Sequence, residues 1–305
     1  LPRLVWPRWT PRVSRLLKLM LPALLGAGVV QINLLIDVIL ASILPTGSVS
    51  YLYYADRLNQ LPLAVIGIAI GTALLPNMSR NIQAGRLQEA KENQEKSLEI
   101  GLILTIPAAF GLMILSDPIV TALFQRGAFD TASATATAIA LVCYSAGLPA
   151  FVIIKIFQPN FFARHDTTTP VKIAAGSVVI NLMLNLILMQ YFGHAGLAMA
   201  TSIAAWLSAA IFAIVLKNRN LYSPKRKLLV KITRIILAAS VMGLGLVALK
   251  EFSGGFAESS RLLGICVLLL LIFCGGFIYF ISLFLFNGIS KEEIVENLKR
   301  WSVRD

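Results

Sequence analysis

Long apolar runs separated by short polar stretches dominate the pattern of this 305-residue chain. The runs are Leu19–Leu44, Val49–Met78, Leu98–Leu115, Ala132–Phe162, Pro170–Phe192, Ala195–Leu216, Leu228–Leu249 and Leu262–Phe286. A helix of about 20 residues, rising 1.5 Å per residue, crosses the ~30 Å hydrocarbon core of a bilayer. The pattern therefore predicts an all-α polytopic transmembrane bundle of eight helices, with both chain ends on one side of the membrane.

Basic residues occupy every second connection. Most of the 27 Lys and Arg residues lie before the first run, after the eighth, or between the second and third, fourth and fifth, and sixth and seventh runs. The opposite side carries only Arg126, Lys250 and Arg261. Because cytoplasmic loops are enriched in Lys and Arg, both ends are predicted to be cytoplasmic. The net charge of +12 does not indicate nucleic-acid binding, because these cations flank helix ends and meet anionic lipids there.

Composition and connection lengths divide the chain into four predicted parts. Residues 1–18 form a cytoplasmic juxtamembrane segment, 19–216 a six-helix lobe, 217–287 a basic linker with two further helices, and 288–305 a cytoplasmic tail. A mean hydropathy of +0.78 excludes an ordinary soluble domain. The first residue is Leu1, not Met, which favours a piece of a longer protein.

Four ionisable side chains are predicted to lie within the hydrocarbon: Asp37, Asp56, Arg57 and Lys155. Such groups are costly in hydrocarbon and mark functional positions by default. Lys155 is interpreted as a lysine that snorkels to the cytoplasmic interface. Arg57 has two interpretations: it reaches the outer interface or is neutralised by Asp56, or it binds a phosphate-bearing substrate, because a guanidinium forks onto phosphate oxygens.

Three polar residues share the predicted depth of Asp37. Asn185 and Thr201 lie on the order of 10 Å below the outer face, as does Asp37, and Asn181 is one turn deeper on the face of Asn185. A carboxylate, two amides and a hydroxyl would suit a hard monovalent cation such as sodium. Alternatively, the amides and hydroxyl only join helices by hydrogen bonds, and Asp37 pairs with Arg57.

The chain carries no enzyme motif. It lacks HExxH, GxSxG and a glycine-rich phosphate loop, and its histidines and carboxylates are not grouped. It is therefore predicted not to be an enzyme. A membrane-embedded transferase acting on polyprenyl-linked sugars would need an acidic or metal-binding cluster on the outer side, where the loops are short.

Two segments carry a family resemblance. GSVSYLYYADRLNQLPLAVIGIAIGTALLPNMSR, residues 47–80, and KIFQPNFFARHDTTTPVKIA, residues 155–174, strongly resemble the MurJ/MviN family of lipid II flippases. The similarity extends over essentially the whole chain. Family members have fourteen helices, so the resemblance identifies this chain with helices seven to fourteen of the bacterial cytoplasmic (inner) membrane protein, and the first six-helix lobe as a missing partner.

The resemblance implies alternating access around a cationic cavity that moves lipid II, the peptidoglycan precursor, to the outer leaflet. Arg57 matches the cavity arginine of the eighth helix, with Ser50 and Asp56 nearby, and the last two helices would form a groove for the lipid tail. Asp37, Asn181, Asn185 and Thr201 match positions associated with a sodium site. Asn185 stands where an acidic ligand can occur, and Gln60 where some relatives carry an acid. The alternative within the superfamily is a multidrug (MATE-like) or polysaccharide exporter.

Overall fold

The computed structural model of the protein describes residues 10–257 and 261–288. Within these ranges the elements are helical, as predicted, and no strand is formed. The helices are α1 (Pro11–Ile43), α2 (Ser48–Pro62), a π-helical segment (Leu63–Ile68), α3 (Ala69–Gln83), α4 (Leu87–Ile114), α5 (Ser116–Phe124), α6 (Thr131–Ser145), α7 (Leu148–Phe162), α8 (Thr168–Asn218), α9 (Arg226–Ala257) and α10 (Arg261–Leu285). Of the predicted juxtamembrane segment, residues 10–18 are described, and from Pro11 onward they belong to α1; of the predicted tail, only residue 288 is described.

Six described helical stretches are long and apolar enough to cross a membrane. They are Ser48–Gln83, Leu87–Ile114, Thr131–Phe162, Thr168–Asn218, Arg226–Ser253 and Leu262–Leu285. The stretch Thr168–Asn218 contains two predicted runs, and α1 contains most of the run that starts at Leu19. Each of the eight predicted runs is therefore helical, and the all-α fold class is confirmed.

Helix α8 is a hairpin. Its 51 residues would extend about 76 Å as one straight helix, yet the Asn181 side chain lies 3.3 Å from the Thr201 hydroxyl, 20 residues away. The reversal occurs at Gly193, whose φ of 56° favours glycine. At Gly196 a Cβ would lie 2.3 Å from the Leu188 carbonyl oxygen, so the returning helix needs a second glycine.

Two predicted helices are interrupted in the structure. The run Val49–Met78 contains a π-helical segment directly after Pro62, which has no N–H to offer an α-helical ladder. The run Ala132–Phe162 is divided at Ala146 and Gly147 into α6 and α7. The Ala146 carbonyl freed by this break accepts a hydrogen bond from Trp206 Nε1 at 2.9 Å.

The polar connection between the second and third runs is largely helical, as its helix-forming composition predicts, but it does not form a separate helix. Alternating charge of this kind is typical of a solvated helix apart from the membrane helix, but residues from Leu87 onward belong to α4 itself. Gln94, within that stretch, is fully buried and accepts a hydrogen bond from Asn160 Nδ2 at 2.6 Å. Helix α5 was not predicted.

Helices α9 and α10 are fastened to α4. Lys231 of α9 forms a largely buried ion pair with Glu99 of α4. Tyr279 of α10 donates a hydrogen bond of 2.6 Å to the Ile103 carbonyl of α4. A Cβ at Gly245 would lie 2.9 Å from Ile278, so this small residue lets α9 and α10 pack closely.

Side-chain contacts join the first and last turns of α8, at the end of the hairpin opposite Gly193. Asp166 accepts hydrogen bonds from the backbone N–H of Thr169 at 3.0 Å and from its hydroxyl at 2.6 Å, at the start of α8. Asp166 also pairs with Arg219 at 2.7 Å, just beyond the end of α8. The motif ARHDTTTP therefore ties the two ends of the hairpin together.

Candidate functional site

Polar side chains from α1 and both halves of α8 meet inside the bundle. Asp37 Oδ1 accepts a hydrogen bond from Asn185 Nδ2 at 2.7 Å, and Asp37 Oδ2 accepts one from Asn33 Nδ2 at 3.2 Å. Asn185 also donates to Asn181 Oδ1 at 3.0 Å, and Asn181 donates to the Thr201 hydroxyl at 3.3 Å. The four residues that the sequence placed at matched depth are thus in contact. They form, with Asn33, what we call the oxygen cluster.

The Asn181 amide has two orientations of nearly equal shape in this cluster. In the orientation with the contacts above, its oxygen lies 3.1 Å from Asn33 Oδ1 and 3.2 Å from Asp37 Oδ1. Rotated by half a turn, its nitrogen donates to those oxygens, and its oxygen accepts from the Thr201 backbone N–H at 3.2 Å. The rotated orientation satisfies both atoms of the amide, so Asn181 joins Asn33, Asp37 and Thr201 by hydrogen bonds, and its oxygen does not face theirs.

Burying carboxylate and amide oxygens costs free energy unless a cation or a hydrogen-bond donor lies beside them. Asn181 is 3% exposed and Asn185 is fully buried, and Asn185 Oδ1 is a buried acceptor without a partner. Oxygen ligands of this kind are those that hard cations prefer. The cluster is therefore a hydrogen-bonded junction between α1 and both halves of α8, and its carboxylate, amide and hydroxyl oxygens are of the type that a hard cation prefers. Among the described residues no group of three His, Cys, Asp or Glu side chains is placed to hold a metal ion.

A second polar region lies on the exposed face of α2. Ser50, Tyr53, Arg57 and Leu61 are exposed or half-buried and recur at helical spacing, which places them on one side of the helix. We call this set the arginine face. The Arg57 guanidinium lies 4.8 Å from the centre of the Tyr53 ring, a distance suited to a cation–π contact.

Asp56 and Arg57 are linked through Gln60. Gln60 Nε2 donates a short hydrogen bond to Asp56 Oδ2, and Arg57 Nη1 donates to Gln60 Oε1 at 3.2 Å. Asp56 is half-buried beside the arginine face. No ion pair within the described residues joins Arg57 to Asp37 or Asp56, so the two pairings considered from the sequence are not formed.

The sequence did not predict that Asn33 belongs to the oxygen cluster or that Gln60 contacts Arg57 on the arginine face. Asn33 precedes Asp37 by four residues, and Gln60 follows Asp56 by four, so each lies one turn from a membrane carboxylate. This spacing was the available signal. Lys155 is exposed in α7, and its Cγ lies 3.7 Å from where a Cβ of Gly67 would be, beside the π-helical segment.

Fold and comparisons identify the class of protein. The chain is a multi-pass membrane protein with the fold of the MOP superfamily of transporters. An outward-facing MATE family multidrug resistance transporter of that superfamily aligns with a TM-score of 0.54 at 20% identity, covering 88% of this chain and 64% of the other. A likeness at this identity concerns the fold alone.

The sequence comparisons identify one family within that superfamily. Residues 1–267 match the family model described as lipid II flippase MurJ. A probable lipid II flippase MurJ of Rhizobium meliloti is 42% identical over 96% of this chain, and the lipid II flippase MurJ of Burkholderia cenocepacia is 35% identical over 76%. The structure of lipid II flippase MurJ in its inward closed conformation aligns with a TM-score of 0.75 at 26% identity, covering 90% of this chain. The chain belongs to the MurJ family of lipid II flippases.

This chain corresponds to part of its relatives. It covers 55% of the Rhizobium protein, 45% of the Burkholderia protein and 55% of the solved MurJ chain. The chain thus spans about half the length of the curated relatives it matches.

Proposed function

We propose that the protein to which this chain belongs flips lipid II from the inner to the outer leaflet of the bacterial cytoplasmic membrane. The observation that carries the proposal is the arginine face. Arg57 is a permanent cation at membrane depth, lies on the open side of α2, and has no ion-pair partner among the described residues. A charge in this position needs an anion or a water-filled cavity, because hydrocarbon alone would not solvate it.

Arg57 suits a diphosphate. Its planar guanidinium presents paired donors that match two phosphate oxygens, and it cannot lose its proton at neutral pH. Gln60 holds one edge of the guanidinium and is itself held by Asp56, so the Asp56–Gln60 pair limits the rotation of Arg57. Ser50 lies two turns away on the same face, about 10 Å along α2, and can donate to a sugar or phosphate oxygen.

Transport in this proposal is a conformational process in which no covalent bond is made or broken. A first lobe, absent from this chain, would face the arginine face and complete a cationic cavity between the lobes. Both ends of the present chain would lie in the cytoplasm, as the distribution of basic loops predicts. The π-helical segment between Arg57 and the inner half of the helix is of the kind found at functional hinges.

Helices α9 and α10 would receive the lipid tail. Their outer surfaces carry large apolar side chains, with Leu244, Phe273 and Phe277 each about 70% exposed or more. The pair is held against α4 by the contacts described above, so its apolar surface is presented in a fixed position. An isoprenoid chain could lie on such a surface while the head group occupies the cavity.

The oxygen cluster would bind sodium. Asp37, Asn181, Asn185 and Thr201 would hold the ion, with Asn33 as an additional ligand. The buried Asn185 Oδ1, which has no hydrogen-bond partner among the described residues, supports this assignment together with the Asp37 carboxylate beside that amide. A bound monovalent cation would neutralise the Asp37 carboxylate and join α1 to both halves of α8.

The test is reconstitution of the full-length protein in vesicles that carry a labelled lipid II analogue. We expect the analogue to reach the opposite leaflet faster with the wild-type protein than with Arg57→Ala, and Arg57→Lys to be intermediate. A lipid of the same tail without the diphosphate should not be moved. If the protein moves cationic drugs and leaves the lipid II analogue in place, it is an exporter of the multidrug type instead.

A further inference from the structure

A cleft of about 410 Å³ lies at the end of the bundle that carries the basic loops. Three segments meet around it: the start of α4, the end of α8 and the connection to α9. Its lining consists of Lys91, Lys217, Asn218, Asn220, Tyr222 and Ser223. This cleft belongs to neither the oxygen cluster nor the arginine face, and it shares no residue with the groups proposed to move lipid II.

The cleft has an uncompensated positive charge. Neither Lys91 nor Lys217 forms an ion pair with any residue that the structure describes. Two acids at this end of the bundle are paired with other cations: Asp166 with Arg219 at 2.7 Å, and Glu95 with Lys225 at 3.5 Å.

The cleft also contains hydrogen-bond donors without partners. Tyr222 is 4% exposed, and its buried hydroxyl has no hydrogen-bond partner among the residues that the structure describes. Burial, and then the negative charge of Glu95, raise the pKa of Tyr222, so the hydroxyl keeps its proton and is a donor. The Tyr222 ring is fixed by Phe157, with ring centres 6.0 Å apart. An unsatisfied buried donor in a native structure calls for a missing partner.

The side chains of Asn218 and Asn220 add two further amides that make no hydrogen bond within the described residues. Asn220 has a φ of 54°, a left-handed conformation that Asn adopts readily just beyond the end of a helix. Ammonium, amide and phenol donors around one cleft are complementary to an anion with several oxygens.

We propose that this cleft binds a phosphate group at the membrane surface. Lys217 directly follows the predicted run Ala195–Leu216, so the cleft lies where a helix leaves the hydrocarbon and phosphate groups of the bilayer begin. Basic pockets between membrane helices on the cytoplasmic side are recognised sites for anionic head groups. The phosphate is supplied by an anionic phospholipid or by a free phosphate in solution.

The experiment measures the thermal unfolding midpoint of the full-length protein in detergent. One titration uses inorganic phosphate at constant ionic strength, a second uses short-chain phosphatidylglycerol, and a third uses short-chain phosphatidylcholine. A ligand of the folded state stabilises it in a saturable way, which gives a Kd. Gain from phosphatidylglycerol alone identifies the lipid as the source, and equal gain from inorganic phosphate identifies the free anion.

The test variants are the double change Lys91→Ala with Lys217→Ala and the single change Tyr222→Phe. Removing two cations at the surface should weaken binding about thirtyfold, and Tyr222→Phe, which leaves the charge unchanged, should weaken it about tenfold. The matched control is Lys172→Ala with Lys227→Ala, which removes the same charge from exposed positions outside the cleft and should keep the wild-type Kd. Equal losses in the pocket and control variants, or no saturable gain from any ligand, would overturn the proposal.

Discussion

The oxygen cluster and the arginine face are two polar regions at membrane depth that differ in how their charges are met. Asp37 is enclosed by amides from α1 and α8, at 3.2 and 2.7 Å, within one lobe. Arg57 lies on an open face and has only Gln60 and the Tyr53 ring beside it among the described residues. The first region can be completed by a small ion. The second is open toward whatever faces α2, so its partner must come from outside this lobe.

The largest expected effect is on the open region. In the full-length protein, Arg57→Ala should abolish support of cell-wall synthesis while leaving the protein at normal abundance, because Arg57 is exposed and its contacts with Tyr53 and Gln60 lie at the surface of this lobe. Arg57→Lys should restore function only in part, since an ammonium cannot fork onto two oxygens. Complementation of a depletion strain measures this. The control is Arg80→Ala, an arginine at the end of α3. Growth with Arg57→Ala equal to wild type would remove the contrast between the two regions.

The next prediction concerns the enclosed region. Sodium should raise the stability of the detergent-solubilised protein in a saturable way, by about 1.4 kcal/mol at ten times its Kd, and potassium should do so less. Asp37→Asn should remove most of this gain, because the amide cannot neutralise a cation. The measurement is the thermal unfolding midpoint in sodium and potassium chloride. An equal gain in both salts would leave the cluster as a hydrogen-bonded junction between helices.

The same variant tests whether the two regions are coupled. Since Asp37 and Arg57 form no ion pair, the effects of Asp37→Asn and Arg57→Gln on stability should add within about 0.5 kcal/mol. Recovery of stability in the double variant would mean that the two charges pair.

A smaller effect tests whether the oxygen cluster binds a cation. Asn185→Asp places a second carboxylate where Nδ2 now lies 2.7 Å from Asp37. If a cation binds there, its apparent affinity should rise about tenfold, because another anionic oxygen faces it. Stability without sodium should fall, because two carboxylates so close repel each other. Sodium titrations of wild type and variant measure both changes. A variant that is less stable at every sodium concentration would contradict the cation assignment.

The smallest expected effect concerns Asp166, which lies outside the membrane-spanning helices. It serves as a reference for the two charges at membrane depth. Burial would raise the pKa of Asp166, but the hydrogen bonds from Thr169 and the charge of Arg219 together outweigh it and lower the pKa. The stability that Asp166 contributes is therefore complete above the unfolded value of about 3.9 and is lost as the pH falls through the lower folded pKa. Asp166→Ala should cost about 1 kcal/mol at neutral pH and should remove this part of the acid sensitivity. Thermal unfolding from pH 7 to pH 3 checks it, with Asp166→Asn as the uncharged control. An unchanged acid profile would assign the sensitivity to other carboxylates.

Much of the fold was predictable from local pattern. Apolar runs of membrane length locate the helices, since each residue contributes its transfer free energy independently of its neighbours. The interruptions were less accessible. Pro62 signals a break, but local pattern does not predict that a π-helical segment in contact with α7 follows it. Nor does it predict that the division at Ala146 and Gly147 leaves a carbonyl for Trp206. Helix α5 was missed because its nine residues are too few for a membrane-length pattern.

The sequence could predict the members of the candidate site only from their depth in the membrane. Counting residues from helix ends brought Asp37, Asn181, Asn185 and Thr201 to one level, and the structure places them in contact. Depth says nothing about rotation around a helix axis, so Arg57, which the same counting placed near Asp37, lies on another face and makes no contact with it.

By itself, the sequence determined that this chain is helical, crosses a membrane repeatedly and carries a small set of charges at membrane depth. These properties follow from residue hydrophobicity and helical rise, which are local. The tertiary structure decided which charges are enclosed and which remain open, because that depends on how α1, α2 and the two halves of α8 are rotated against one another. It also joined the distant segments that form the cleft around Tyr222. Such contacts between residues far apart in the chain come only from packing, and no local pattern contains them.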